Sequence, residues 1–357
     1  MKLITQKLIL RRLGGATLSA VLTAVFMYLL VYQGVVSVYA GLCIGFFIYL
    51  IINLYNYFVE KKYVRKLNLL LIMLINVTVQ VLVIFIVAFF FVWYFYLGSN
   101  LEIVYLNFNY LLKSWFLYGI IFGLLASFMF NVYEIISTLV GPHILRKLLF
   151  GFYKNPRETN RLFMFLDIRS STTIAEKIGP SKFMSMVDDF FFDIAEPVQK
   201  TRGEIYKYVG DEVIITWKMN EGLKNAHAVQ CFFLLEDLIE TRRAYYLKKY
   251  GVVPEFKAGL HGGKVITGQL GYVKREIAYM GDVLNTTARI EEACKTFGKK
   301  LLASGDVMEL MKLPAGIMKT QVGNVKLRGK ENELSLFALD REVGEAMRRG
   351  DDEARRR

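Results

Sequence analysis

Three long stretches of this 357-residue chain lack charge altogether: residues 13–59, 67–101 and 114–133 contain no Asp, Glu, Lys or Arg. Runs of that length are incompatible with the surface of an ordinary soluble domain. They are what a bilayer requires of helices that cross it. Cysteine is scarce as well. Cys43, Cys231 and Cys294 form no closely spaced pair, which argues against both a disulfide framework and a zinc site. His143, His227 and His261 are scattered, so a histidine-rich metal centre is not expected. No A-x-A-like site follows the first apolar run, and further apolar runs come after it. A cleaved signal peptide is therefore not expected.

What is present is an apolar first part and a mixed second part. Four transmembrane spans are expected at about 15–34, 38–58, 67–97 and 115–140. The third would be about 45 Å as a straight helix, so it should tilt or project beyond the hydrocarbon. Its far end, FFFVWYFYLG, is an aromatic cluster suited to an interface. Lys2, Lys7, Arg11 and Arg12 precede the first span. Lys61, Lys62, Arg65 and Lys66 follow the second, and Arg146, Lys147, Lys154 and Arg157 follow the fourth. The positive-inside rule then puts both termini and everything after residue 143 in the cytoplasm, in a multi-pass protein of the cell membrane in contact with lipid. The net charge of +13 is largely this signal plus the tail MRRGDDEARRR, so nucleic acid is not an expected partner.

Residues 143–160 read as a linker, with a basic helix HILRKLLFGFY that Asn155-Pro156 should end. It is either a membrane-surface connector or a helix that transmits movement of the spans. The soluble domain is expected over 161–340, with a charged tail at 341–357. RLFMFLDI reads as a buried strand and is followed by two helices, with Ser170 or Ser171 as cap. EIYKYV and EVIITW flank a Gly-Asp turn as a hairpin. One long helix is expected from about Glu221 to Lys249, then glycine-bent strands in FKAGLHGGKVITGQLG, then a helix in GDVLNTTARIEEACKTF. The order β-α-α-β-β-α-β predicts a ferredoxin-like α/β sandwich. The whole chain is thus an α-helical four-span transmembrane domain plus an α/β cytoplasmic domain.

Asp167 ends the first strand and Asp211 sits at the hairpin tip. A lone Asp in a turn is ordinary turn chemistry. In a β-α-β-β core, however, the first strand and the hairpin are neighbours, so the two carboxylates can meet. They would repel each other unless a divalent cation lay between them, and Mg²⁺ or Mn²⁺ prefers such oxygen ligands. Asn285 and Arg289, four apart on a helix, share one face. They would make a donor array for a ribose oxygen and a phosphoryl group gaining charge. Together these residue types point to phosphoryl transfer.

The ordered segments FLDIRSSTTIAE, EIYKYVGDEVIITW, GLHGGKVITGQLG, YMGDVLNTTARIEEACK and KLRGKENELSLFAL resemble the class III nucleotidyl cyclases, the family of adenylate and guanylate cyclases. The resemblance implies that Asp167 and Asp211 bind two Mg²⁺ or Mn²⁺ ions per active site, with the carbonyl of Ile168 as a further ligand. It implies that Asn285 and Arg289 stabilise the transition state. Lys207 would select the base: an ammonium donates only, which suits N1 of adenine and hence ATP. Lys330, with Arg328 as second choice, would hold the terminal phosphates. The family also implies a homodimer with active sites at its interface. One departure stands out. Ala278 occupies the second base-reading position, where the family more often has Asp or Thr to accept from the adenine amino group. No side chain is an obvious general base; metal-bound Asp167 or water are the candidates. The expectation is a membrane-bound adenylate cyclase that makes cyclic AMP and pyrophosphate. Two alternatives remain. VGDEV also looks like the diguanylate cyclase signature, though without its first glycine and final Phe, and the chain could be a non-catalytic receptor module.

Overall fold

The computed structural model describes residues 151–273, 275–326 and 333–342, and isolated helical positions between 71 and 148. The chain divides into two compact units, Met1–Phe150 and Gly151–Arg357. The four expected spans fall largely outside the described residues. Among the described residues no helix is long and apolar enough to cross a membrane. Arg328 and Lys330 also lie outside the described residues.

In the second unit, strand β1 (Arg157–Ile168) is buried on both faces from Arg161 to Leu166, as its unbroken apolar run requires. Helices α1 (Ser171–Ile178) and α2 (Pro180–Lys200) follow, with proline at the start of α2, where its missing N–H costs nothing. Strands β2 (Glu204–Val209) and β3 (Glu212–Lys218) form the hairpin. Next come α3 (Met219–Leu223), a 3₁₀ turn, α4 (His227–Thr241) and α5 (Arg243–Tyr250). Strand β4 (Phe256–Leu270), β5 (Glu276–Met280), α6 (Asp282–Thr296), β6 (Leu301–Ser304), α7 (Gly305–Leu310), β7 (Ile317–Lys326) and β8 (Glu333–Arg341) complete the domain.

The sheet runs β2-β3-β1-β4-β6-β8-β7, with β5 paired to β4. The four strands β2-β3-β1-β4 are mutually antiparallel, each with its neighbour, which is the ferredoxin-like arrangement expected from the element order. One face, carrying Leu162, Met164, Leu166, Ile215 and Trp217, packs on Phe190 and Ile194 of α2 and Phe232 of α4. The opposite face, carrying Phe163, Phe165, Ile214 and Val265, packs on Val283 of α6 and Tyr279 of β5. Helix α6 comes close because β4 has no side chain at Gly259, where a Cβ would lie 2.3 Å from the backbone nitrogen of Glu291.

Two local expectations need correction. The helix expected from Glu221 to Lys249 is broken at Lys224–Ala226, where Asn225 and Ala226 adopt left-handed backbone angles. Asn tolerates that conformation through its short polar side chain, and Ala226 is fully buried at the bend. Ser170 does precede α1, but it is itself left-handed (φ 53°) and makes no side-chain cap hydrogen bond. Side-chain capping goes with extended angles at that position, so only its carbonyl serves, accepting from the Ile174 amide at 3.0 Å.

Candidate active site

The β2–β3 hairpin closes in two residues, Gly210 and Asp211, with Val209 paired to Glu212. Gly210 takes φ 64°, the glycine-first form of a tight hairpin turn. Asp167 lies directly across from Glu212 on β3 and from Lys257 on β4. Cross-strand partners share a face. Lys257, Asp167 and Glu212 therefore form a row on the α6 side, and Asp211 borders it at the turn. Glu291 of α6 closes over the row and takes a hydrogen bond from Lys257. The Lys257 ammonium is 3.3 Å from Asp167 Oδ2.

Four carboxylates thus crowd around one cation. Burial, reinforced by the charge of Asp211, pushes the Asp167 carboxyl up to about 6. Burial and the charges of Glu291, Asp167 and Asp211 push Glu212 up to about 7. Burial also raises Glu291, although Lys257 opposes the change. A site with this surplus of negative charge and oxygen-only donors suits a hard divalent cation. Ile168 ends β1 next to Asp167, so its carbonyl is in sequence reach of the same place. Among the described residues no three or more His, Cys, Asp or Glu groups form a metal cluster; the expected donors are two carboxylates and a carbonyl.

Asn285 and Arg289 lie on α6, exposed and half-exposed respectively. Neither makes a side-chain hydrogen bond or ion pair among the described residues. Glu291 is only two positions from Arg289, about 200° around the helix, and it is buried against Lys257. Helix α6 therefore turns Glu291 toward the acidic row and Asn285 and Arg289 away from it. One chain brings Asp167 and Asp211 together but does not aim the Asn–Arg pair at them.

Lys207 reaches its position through a bulge. Ile205 pairs with Ile215 and Lys207 with Ile214, leaving Tyr206 as the extra residue. Simple alternation would put Lys207 on the same face as Ile205. The bulge re-aims it to the Ile214 face, the face covered by α6 and β5. Tyr206 is held there by an edge contact with Tyr279 (ring centroids 4.8 Å), and Tyr279 packs in turn on Phe163 at 5.3 Å. The buried Arg161 lies over the Tyr279 ring and donates to Glu204 at 2.7 Å. Ala278 sits half-buried in β5, opposite Gly268. The two positions expected to read the base thus lie on β2 and β5, strands that are not paired in the sheet but meet through the Tyr206–Tyr279 contact.

Sequence reasoning missed Glu212, Lys257 and Glu291. Glu212 adjoins Asp211 and could have been suspected. Lys257 and Glu291 meet Asp167 only through sheet register and the packing of α6, which leave no local signal.

An antiparallel core thus carries two carboxylates at the β1 end and hairpin tip, with Asn285 and Arg289 on a flanking helix. The chain belongs to the class III nucleotidyl cyclases: residues 154–340 match the adenylate and guanylate cyclase catalytic domain family. It is 32% identical over 204 residues to adenylate cyclase 2 of Rhizobium meliloti, covering 57% of this chain and 56% of that protein. It is 23% identical over 201 residues to guanylate cyclase D of Mus musculus, covering 55% of this chain and 18% of that one. The chain thus spans little more than half, or less, of these relatives. A bacterial light-regulated adenylyl cyclase shares the fold, with a TM-score of 0.54 at 16% identity over 64% of this chain and 67% of that one.

Proposed function

We propose that the chain is a membrane-anchored adenylate cyclase, converting ATP to 3′,5′-cyclic AMP and pyrophosphate as a homodimer. The observation that carries this is the crowding of Asp167 by Asp211 at the strand end, with the Asp167 carboxyl raised by burial and by its neighbour. Asp167, Asp211 and the Ile168 carbonyl would hold Mg²⁺ or Mn²⁺. When bound, the metal would polarise the α-phosphate and lower the pKa of the ribose 3′-hydroxyl. Asn285 would orient the ribose, and Arg289 would stabilise charge developing on the phosphoryl group. Lys207 would donate to N1 of adenine. Lys330, or Arg328, would hold the terminal phosphates.

Support for a shared site comes from the direction of α6. Its Asn285 and Arg289 face away from the acids of their own chain, so a second copy would bring them to its acids. Anchoring, with both termini cytoplasmic, rests on the three uncharged runs and the flanking lysines and arginines. The test is product formation from ATP and from GTP, with Mg²⁺ or Mn²⁺, beside Asp211→Ala. Cyclic AMP that is absent from the variant is expected. No cyclic product from either nucleotide with either metal would refute the proposal.

A further inference from the structure

The Ala278 side chain has no hydrogen-bonding group, yet the same short strand carries a carboxylate. Glu276 is two residues earlier on β5, and residues two apart on a strand share a face. Its Oε2 lies 3.3 Å from the Lys207 ammonium. Tyr279 points to the other face of β5 and packs on Tyr206, and this contact holds β2 near enough to β5 for Lys207 to reach Glu276. The Tyr279 amide also donates to the Tyr206 hydroxyl at 3.4 Å. Behind the pair Tyr279 is buried and Tyr206 half-buried, while the two charged side chains are 51% and 44% exposed. An exposed ion pair of this kind contributes little by itself, so a ligand edge can take over both partners.

We propose that Glu276 is a base-reading residue, supplying the acceptor for the purine 6-amino group that Ala278 cannot supply. This rests on the cyclase reading above. A donor and an acceptor side by side match the edge of adenine, which offers an acceptor at N1 and a donor at the 6-amino group. Guanine reverses both. With Lys207 at N1, the carboxylate of Glu276 would meet the guanine O6 and repel it. The longer glutamate would do from two residues earlier on β5 what an Asp or Thr would do at the Ala278 position.

The test uses the whole chain in detergent and measures two things. One is turnover of ATP, of GTP and of purine riboside triphosphate, which is ATP without the amino group. The other is equilibrium binding of the α,β-methylene forms of the same three. Wild type should favour the adenine nucleotide over the unsubstituted purine by about tenfold, the worth of one hydrogen bond to a charged group. Glu276→Ala should erase that preference, and Ala278→Thr added to it should restore it. A merely structural role would lower all three nucleotides equally, which would overturn the proposal. So would unchanged discrimination in Glu276→Ala. A wild-type preference for guanine would also overturn it, because the pair would then read O6 and N1–H. If the binding pattern appears without any cyclic product, Glu276 reads the base and the cyclase reading fails. If no nucleotide binds, both fail.

Discussion

Replacing Gly259 with alanine should separate the role of α6 from that of the sheet. The new Cβ would lie 2.3 Å from the Glu291 nitrogen, 2.8 Å from its Cα and 2.8 Å from the Thr287 carbonyl oxygen. These are backbone atoms, so no side chain can swing aside. Ordinary contact begins near 3.4 Å, so α6 must retreat from β4 by about 1 Å. Overpacking of this size costs about 1–3 kcal/mol. The same helix carries Asn285 and Arg289, and a displacement of about 1 Å at a reacting group can cost about 10²-fold in rate. Urea denaturation should show the stability loss. Steady-state kinetics should show kcat falling by more than KM rises, since Lys207 on β2 is untouched. Gly268→Ala, whose Cβ would meet Pro156 at an ordinary 3.5 Å, serves as the control and should behave as wild type. A Gly259→Ala protein with wild-type stability and kcat would refute the claim that α6 is seated on β4 at this point.

In metal-free protein, Asp167 at about 6 and Glu212 at about 7 bind protons more tightly folded than unfolded. Their contribution to stability is full below about pH 4 and lost as pH rises through 6 to 7. Stability in chelator should therefore drop between pH 5 and pH 8 by about 4 kcal/mol, and Mg²⁺ should recover it at pH 8; a flat profile would contradict the crowded-acid picture. Lys257→Met removes the one cation among these carboxylates and should steepen the same pH dependence while weakening the seat of Glu291. Asp193→Ala leaves the Arg242 and Tyr246 partners of a buried carboxylate unpaired and should cost about 3–5 kcal/mol in denaturant, with the ATP-to-GTP preference unchanged.

Much of this domain is legible locally. The unbroken apolar run of β1, the Gly-Asp turn and the 3.6-residue pattern of α6 each declare their element, and their order gives the sheet. The break at Asn225–Ala226 is not legible, because neither residue is a strong helix breaker and the bend answers to packing around Ala226. Asp167, Asp211, Asn285 and Arg289 stand out as candidates because they sit in short segments whose residue types suit phosphoryl transfer. Lys257 and Glu291 are not, since β1–β4 register and the close approach at Gly259 are long-range facts. Glu276 is hidden for a subtler reason. β2 and β5 are not paired strands, so the meeting of Lys207 with Glu276 is a long-range fact of the Tyr206–Tyr279 packing.

The shared active site is tested most directly by complementation. Asp211→Ala and Arg289→Ala chains would each be made alone and then co-expressed, with cyclic AMP measured in the membranes. Each variant alone should be inactive. Random pairing makes about half of the dimers mixed, each with one intact site of two, so co-expression should restore about a quarter of wild-type activity. No recovery, with both chains present and paired, would contradict an active site built from the acids of one chain and the Asn–Arg pair of the other.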